Sequence, residues 1–401
     1  VLDLCAAPGG KTTDLAASLR DKFGDGFVLV ANEVMKQRAG VLASNVALWG
    51  DPNVVVTSDD PSAFAALEGF FDIVVADVPC SGEGMFRKED IAIDEWSPEN
   101  VQKCAERQKE ILENAAICLK NGGYIVYATC TFSLEENEMM VDAFLSDHPE
   151  FEIVRVREVV EENTEDGIFF DGCKCENISF ARRFYPHKNR GEGQFMAVLH
   201  NKETYYGSCE KTKKKADKID KTVFDFLDDT LTEYNKENVL MHKGTPIYFT
   251  PDFDVKNVTA FSVGVTIGEI KKNYIQPHHQ FFMAFGNVFK RKIELSAESE
   301  EIKKYLVAGS LDNLTATDVV SIQSESNRLG SQLCTNLKVG DEVISIGGIK
   351  GKIRKIKDDS VVIETAVSVL AFFILTSSHQ GTLPDAAGCP HVKTIENSFG
   401  L

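Results

Sequence analysis

The first two hundred residues alternate between two hydrophobic rhythms. Short, nearly unbroken apolar runs occur at Val1–Leu4, Phe27–Ala31, Asn53–Thr57, Phe71–Ala76 and Tyr124–Ala128, the pattern of strands buried on both faces. Between them lie longer stretches with apolar residues three and four apart. The first, Lys11–Lys22, runs through Leu15, Ala16 and Leu19; the others are Met35–Leu48 and Pro98–Leu119. Gly122-Gly123 is the expected stop of the third helix, and Glu135–Phe144 reads as a polar helix start. This alternation predicts an α/β fold with a doubly wound, parallel sheet. Its functional loops should leave the carboxyl ends of the strands.

The rhythm changes further along. Residues 201–222 are polar and rich in lysine (Lys211, Lys213, Lys214, Lys215, Lys218, Lys221), and a solvated linker is expected there rather than an RNA-contacting arm. Residues 223–310 read as a smaller α+β domain, with Pro246–Thr250 and Phe281–Phe285 as its strands. Between 336 and 364, Val339-Gly340-Asp341, Gly347-Gly348 and Asp358-Asp359 punctuate β-branched runs, which predicts a small barrel or hairpin set. The tail, 366–401, has no assignable period.

Composition narrows the function classes. A chain of 401 residues suggests two or three domains of about 150 residues each. The net charge is −18, and residues 1–200 hold 18 basic against 35 acidic side chains. A polybasic nucleic-acid binder is therefore excluded, and any RNA contact must come from a local basic groove. The longest apolar run, Ala366–Leu375, is well short of the ~20 residues a membrane-spanning helix needs. No signal peptide is expected, because Val1–Leu4 already reads as a core strand. The ten cysteines are scattered without paired spacing, which fits a reducing cytoplasm better than a disulfide scaffold. Cys173 and Cys175 are expected to be loop residues, and no metal site is expected.

Three segments at predicted strand ends carry chemistry. Cys5-Ala6-Ala7-Pro8-Gly9-Gly10-Lys11-Thr12 nearly fits a phosphate-binding G-x-x-x-x-G-K-[ST] loop, but Cys5 replaces the first glycine and Pro8 removes a backbone N–H. The alternative is a glycine turn approached by a nucleoside cofactor, with Glu33 at the end of the second strand binding ribose hydroxyls. The second segment is Asp77-Val78-Pro79-Cys80-Ser81-Gly82-Glu83-Gly84 and the third Thr129-Cys130-Thr131. A single cysteine past a strand is usually a buried packing residue; two beside a cofactor loop need more explanation.

Together, Cys5–Lys11, Asp77–Cys80 and Tyr127–Thr131 resemble the RNA 5-methylcytosine methyltransferases of the RsmB/NOP (Nop2/Sun) family, and within it the RsmF type. The resemblance covers roughly residues 1–200 and includes Gly191–Ala197, similar to the family's closing strand. Ala128 is a small departure, standing where the family often has Ser. Residues 223–310 resemble the RsmF C-terminal, RNA-binding-like extension less closely.

The resemblance implies a Rossmann-like methyltransferase domain using S-adenosyl-L-methionine. It implies Cys130 as nucleophile, Cys80 as the cysteine that assists product release, and Asp77 as base and cofactor-orienting group. The cofactor would lie on Cys5, Ala6, Ala7, Pro8, Gly9, Gly10 and Lys11, with Glu33 at the ribose, Asp60 near the adenine and Asp77 near the methionine end. Asp59 is expected to be solvated. Phe86 and Arg87 are stacking candidates kept outside the site. The expected substrate is ribosomal RNA, 16S first and tRNA second, with no DNA, no membrane insertion and a monomeric, cytoplasmic protein. The rivals are a non-catalytic ribosome-assembly factor, disfavoured by Cys130, Cys80 and Asp77, and a P-loop hydrolase, disfavoured by Cys5 and Pro8.

Two features fit a complete enzyme less well. The family carries an N-terminal RNA-binding extension before its first strand, so this chain is expected to be a fragment that binds RNA weakly. Leu337–Ile353 with Ile356–Thr365 resembles the soluble β-domain of YajC, the Sec-translocon accessory protein, and is expected to be a joined segment rather than a true fusion. No membrane role is carried over from it.

Overall fold

The structure, a computed structural model, describes residues 1–188, 191–203, 219–254, 258–272 and 274–296, together with strands at 319–323, 342–344, 350–356 and 361–364. In the first half the strands are β1 (Leu2–Asp3), β2 (Leu29–Asn32), β3 (Val54–Thr57), β4 (Phe71–Asp77) and β5 (Leu119–Thr129), followed by β6 (Phe151–Ile153), β7 (Glu165–Asp166), β8 (Arg182–Phe184) and β9 (Gln194–Asn201). The helices are α1 (Gly10–Phe23), α2 (Lys36–Trp49), α3 (Asp90–Glu95), α4 (Pro98–Cys118), α5 (Glu138–Asp147) and α6 (Glu158–Glu161).

The sheet centre runs β3-β2-β1-β4-β5, all parallel. Successive side chains of these strands go to opposite faces. Val30, Val74, Ala76, Ile125 and Tyr127 join one core with α4 residues Ile111, Leu112 and Ala115. Leu29, Ala31, Val75, Val126 and Ala128 join the other with Leu15 and Leu19 of α1 and Leu42 and Val46 of α2. Both faces are covered, which is why the strands read as continuous apolar runs rather than alternating ones. β9 then pairs antiparallel with β5, and β8, β7 and β6 attach antiparallel around it. The expected parallel sheet is thus mixed: β9 returns antiparallel beside β5 only after α5, β6, α6, β7 and β8, an orientation that periodicity alone does not give.

Residues 219–296 hold α7 (Lys221–Thr230), β10 (Val239–His242), β11 (Thr245–Tyr248), β12 (Ala260–Val263), β13 (Val265–Thr266), β14 (Gly268–Ile270), β15 (Ile275–Pro277), α8 (His279–Phe285) and β16 (Lys292–Ser296). They build a core of their own around Val223, Leu227, Val265, Phe281 and Phe289. β12, however, pairs with β3 and closes that edge of the main sheet. Phe249, Phe253 and Val263 belong to the main core, so this part is interlocked with residues 1–200 rather than hung beside them. Beyond it, β17 (Val319–Gln323) pairs with β16, and β18 (Glu342–Ile344), β19 (Lys350–Ile356) and β20 (Val361–Glu364) form an antiparallel three-stranded sheet. Most of the expected linker and all of the tail lie outside the described residues.

Two element expectations are corrected. α4 ends at Cys118, before Gly122-Gly123, because Leu119 already pairs with Phe71 of β4; the glycines lie inside β5. Phe281–Phe285 is helix, not strand. The His278 side chain accepts the Gln280 N–H and caps α8, and Phe281 and Phe285, one turn apart, both enter the smaller core. A short apolar run cannot be assigned by periodicity alone.

Candidate active site

The three chemistry-bearing segments converge on one edge, the carboxyl end of the parallel strands. β1 delivers the glycine turn, β4 delivers Asp77 and the loop to Gly84, and β5 delivers Cys130. α1 starts at Gly10 after Gly9, whose φ of 108° favours glycine, and it has neither a capping side chain nor an acid in its first turn. The turn is fixed from outside: Ala6 N–H donates to the Asn32 carbonyl, Arg38 to the Ala7 carbonyl and Asn45 to the Pro8 carbonyl.

Lys11 leaves this turn toward the catalytic side. Its Nζ lies 2.8 Å from the Asp77 carboxylate. Burial would lower the ammonium, and Asp77 more than reverses this, so its pKa is raised and the charge stays. Cys5, by contrast, is pushed up by burial and by Asp77, Asp3 and Glu33, which makes it a packing thiol rather than a nucleophile.

Cys80 and Cys130 face each other with their Sγ atoms 3.0 Å apart. The thiolate belongs on Cys130. The Cys80 hydrogen bond lowers its pKa most, burial and Asp77 oppose, and Lys11 and the Cys130 backbone N–H assist. Cys80 is raised by the same bond and by burial, although the Cys130 N–H also donates to its Sγ at 3.2 Å. One neutral donor does not outweigh burial, so Cys80 holds the proton.

The loops around the pair are tightly specified. Gly84 N–H donates to the Cys130 carbonyl, and Gly193 N–H to the Gly84 carbonyl. A Cβ on Gly84 would lie 2.3 Å from the Gly193 oxygen and 2.8 Å from the Cys130 oxygen, so only glycine fits that crossing. Glu83 accepts the Phe132 N–H and the Trp96 indole N–H. Arg183, buried with Glu138 in an ion pair, donates to the Phe132 carbonyl.

Beyond the pair, Glu33 is 3% exposed at the end of β2, accepts the Met35 N–H and faces Arg38. Asp60 is exposed and caps the turn at Ser62. Asp59, expected to be solvated, is half-buried and accepts the Thr259 N–H in an exposed bond that ties the chain just before β12 to this edge. Arg87 is engaged by Glu192 and the Gly191 carbonyl, and Phe86 is half-buried. Sequence reasoning missed the side-chain role of Lys11, and it missed Glu83, Gln108 and Glu136. Lys11 and Glu83 lie in segments the sequence singled out, but their side-chain partners are set only by the fold. Gln108 and Glu136 sit in polar stretches that look like solvated helix surface until the fold buries them.

The residues fit a cationic nucleoside cofactor. The uncapped start of α1 leaves backbone N–H groups open to an anionic end of such a molecule. Glu33 is a buried carboxylate just past β2, and Asp3 at the base of the turn has a buried Oδ1 with no partner among the described residues. Among those residues, no helix is long and apolar enough to cross a membrane.

Residues 1–200 match the family described as "16S rRNA methyltransferase RsmB/F", and residues 321–374 match YajC, "Preprotein translocase subunit". Ribosomal RNA small subunit methyltransferase F of Psychromonas ingrahamii is 28% identical over 75% of this chain and 63% of its own length. The protein of that name from Vibrio parahaemolyticus is 29% identical over 85% of this chain and 73% of its own. NSun6 from Pyrococcus horikoshii, solved with SFG, is 26% identical, covering 51% of this chain and 48% of its own, with a TM-score of 0.40. The chain therefore spans less than two thirds of the first of these relatives. Through residues 1–200, the chain belongs to the RsmB/F family of methyltransferases.

Proposed function

We propose that this chain transfers a methyl group from S-adenosyl-L-methionine to C5 of a cytosine in ribosomal RNA, with 16S RNA as substrate and Cys130 as covalent nucleophile. One observation carries the reading: the Cys130 and Cys80 sulfurs lie 3.0 Å apart, beside the Lys11–Asp77 pair. The family match and the names of the relatives support it.

C5 of cytosine is a poor nucleophile while the ring is aromatic. The Cys130 thiolate adds to C6, the C5–C6 double bond opens, and electron density gathers at C5 and N3. The Lys11 ammonium offsets the negative charge that builds on the ring. The cofactor supplies, when bound, an electrophilic methyl group on a sulfonium. Cys5–Lys11, Glu33 and Asp60 would hold it, and Asp77 would orient its reactive end. After transfer, the Asp77 carboxylate takes the C5 proton, that electron pair restores the C5–C6 double bond, and the C6–S bond breaks. Cys130 leaves as thiolate, and the Cys80 S–H is placed to donate to it. The base must be unstacked first, at a cost of a few kcal/mol.

The test is trapping. The full chain and its Cys80→Ala variant are incubated with S-adenosyl-L-methionine and 16S RNA, and the covalent protein–RNA band is quantified. The band should accumulate in Cys80→Ala and vanish when Cys130→Ala is added. A band that survives Cys130→Ala would overturn the assignment.

A further inference from the structure

We propose that Glu136, together with Gln108, is a positioning residue for Cys80: the two side chains hold both peptide groups flanking that cysteine and keep its sulfur against Cys130. The proposal rests on reading Cys80 as the releasing cysteine.

The clamp is built from buried groups. Glu136 Oε2 accepts the Ser81 N–H at 3.0 Å and the Gln108 Nε2–H at 2.8 Å. Gln108 Nε2 also donates to the Pro79 carbonyl at 2.9 Å. The peptide before Cys80 is thus held through its oxygen and the peptide after it through its nitrogen. Glu136 is itself fixed to the β5 side, where the Tyr127 hydroxyl lies 2.6 Å from its carbonyl oxygen and 3.1 Å from Gln108 Oε1. Glu136 and Gln108 are both 0% exposed. The clamp spans the loop of one cysteine and the strand end that carries the other.

A neutral amide would accept the Ser81 N–H equally well, so the carboxylate calls for a reason beyond holding the loop. Its Oε1 is buried without a partner among the described residues, a costly arrangement. The groups facing it are Cys80, Cys104, Tyr127 and Glu83. No cation is among these. Burial first of all, and Glu83, raise the Glu136 carboxyl, while the Ser81 and Gln108 hydrogen bonds hold it down. Once ionised, its charge acts on the neighbouring thiols. Negative charge beside Cys80 raises that thiol, while the main charged neighbours of the nucleophile are Asp77 and Lys11. The bond to Cys130 and burial raise Cys80 most, and Glu136 adds to them, so that Cys80 holds the proton it offers to the Cys130 sulfur as the C6–S bond breaks.

The experiment uses the full chain with Glu136→Gln, Gln108→Ala and Cys80→Ala. Iodoacetamide alkylation, resolved by peptide mass spectrometry from about pH 6 to about pH 10, reads each thiol without RNA. Adduct formation and decay on 16S RNA read the reaction. In Glu136→Gln, the onset of Cys80 alkylation should move about one unit lower, a ~10-fold gain at fixed pH. Adduct formation should stay within about threefold of the parent chain while decay slows at least ~10-fold. Gln108→Ala should slow decay without moving the onset. An unmoved Cys80 onset with formation and decay changed by the same factor would overturn the role of Glu136. A Cys80→Ala adduct that fails to accumulate would instead overturn the reading of Cys80, and the alkylation result would still distinguish the two failures.

Discussion

The Lys11 ammonium and the Asp77 carboxylate meet at 2.8 Å, joining the glycine turn after β1 to the end of β4. One residue of the cofactor turn thereby reaches the reacting side of the pocket, and its charge also lowers the Cys130 thiol. Lys11→Met should remove both effects. Adduct formation should fall about 100-fold, the scale of losing one preorganised electrostatic group. Cys130 alkylation near neutral pH should slow as well, because its thiol rises. Single-turnover trapping and site-resolved alkylation check the two halves separately.

Gly84 should be intolerant of any side chain. Its Cβ would press on backbone oxygens of Gly193 and Cys130, which cannot rotate aside as a flexible side chain can. Gly84→Ala is expected to cost about 1–3 kcal/mol and to displace Cys130, so the melting temperature and the adduct yield should fall together.

The Arg183–Glu138 pair is almost wholly buried, and Arg183 holds the Phe132 carbonyl, two residues beyond the nucleophile. Arg183→Met should leave Glu138 charged and unpaired, at a cost of about 3–5 kcal/mol. Denaturant unfolding measures this; a double variant with Glu138→Leu should recover much of the loss.

Asp3 gives a pH signature. Burial pushes its carboxyl from 3.8 up to about 7, against the help of the Thr12 hydroxyl and Lys11 and with Asp77 adding to the rise. The folded state therefore holds an extra proton between about 3.8 and about 7. The chain loses stability as pH rises across that window, and the loss levels off above it. Asp3→Asn retains an acceptor for Thr12. It should melt higher than the parent chain at about pH 8 and match it more closely at about pH 5, by up to a few kcal/mol. Thermal melts at the two pH values test the sign.

Much of the main domain was legible in the chain. The runs at Phe27–Ala31 and Phe71–Ala76 and the spacing of Leu15 and Leu19 specify strand and helix locally, because both faces of the central sheet are covered. The motifs Cys5–Lys11, Asp77–Cys80 and Thr129–Thr131 sit at predicted strand ends, so their convergence on one edge followed from parallel topology. The placing of Gly122-Gly123 inside β5 and the helical state of Phe281–Phe285 were not legible, since pairing with β4 and packing in the smaller core decide them.

What the sequence determined by itself was the order of the central strands and helices of residues 1–200 and the chemistry available at each strand end. The tertiary structure alone decided which groups act on one another. It placed β12 on the edge of β3 from some two hundred residues away, turned Lys11 onto Asp77, and set Cys80 against Cys130. It also buried Glu136 beneath Cys80, where a carboxylate in a polar run becomes a fixed charge. Periodicity records only which face of an element is apolar, whereas hydrogen bonds and charge effects depend on distances that arise when separate elements pack.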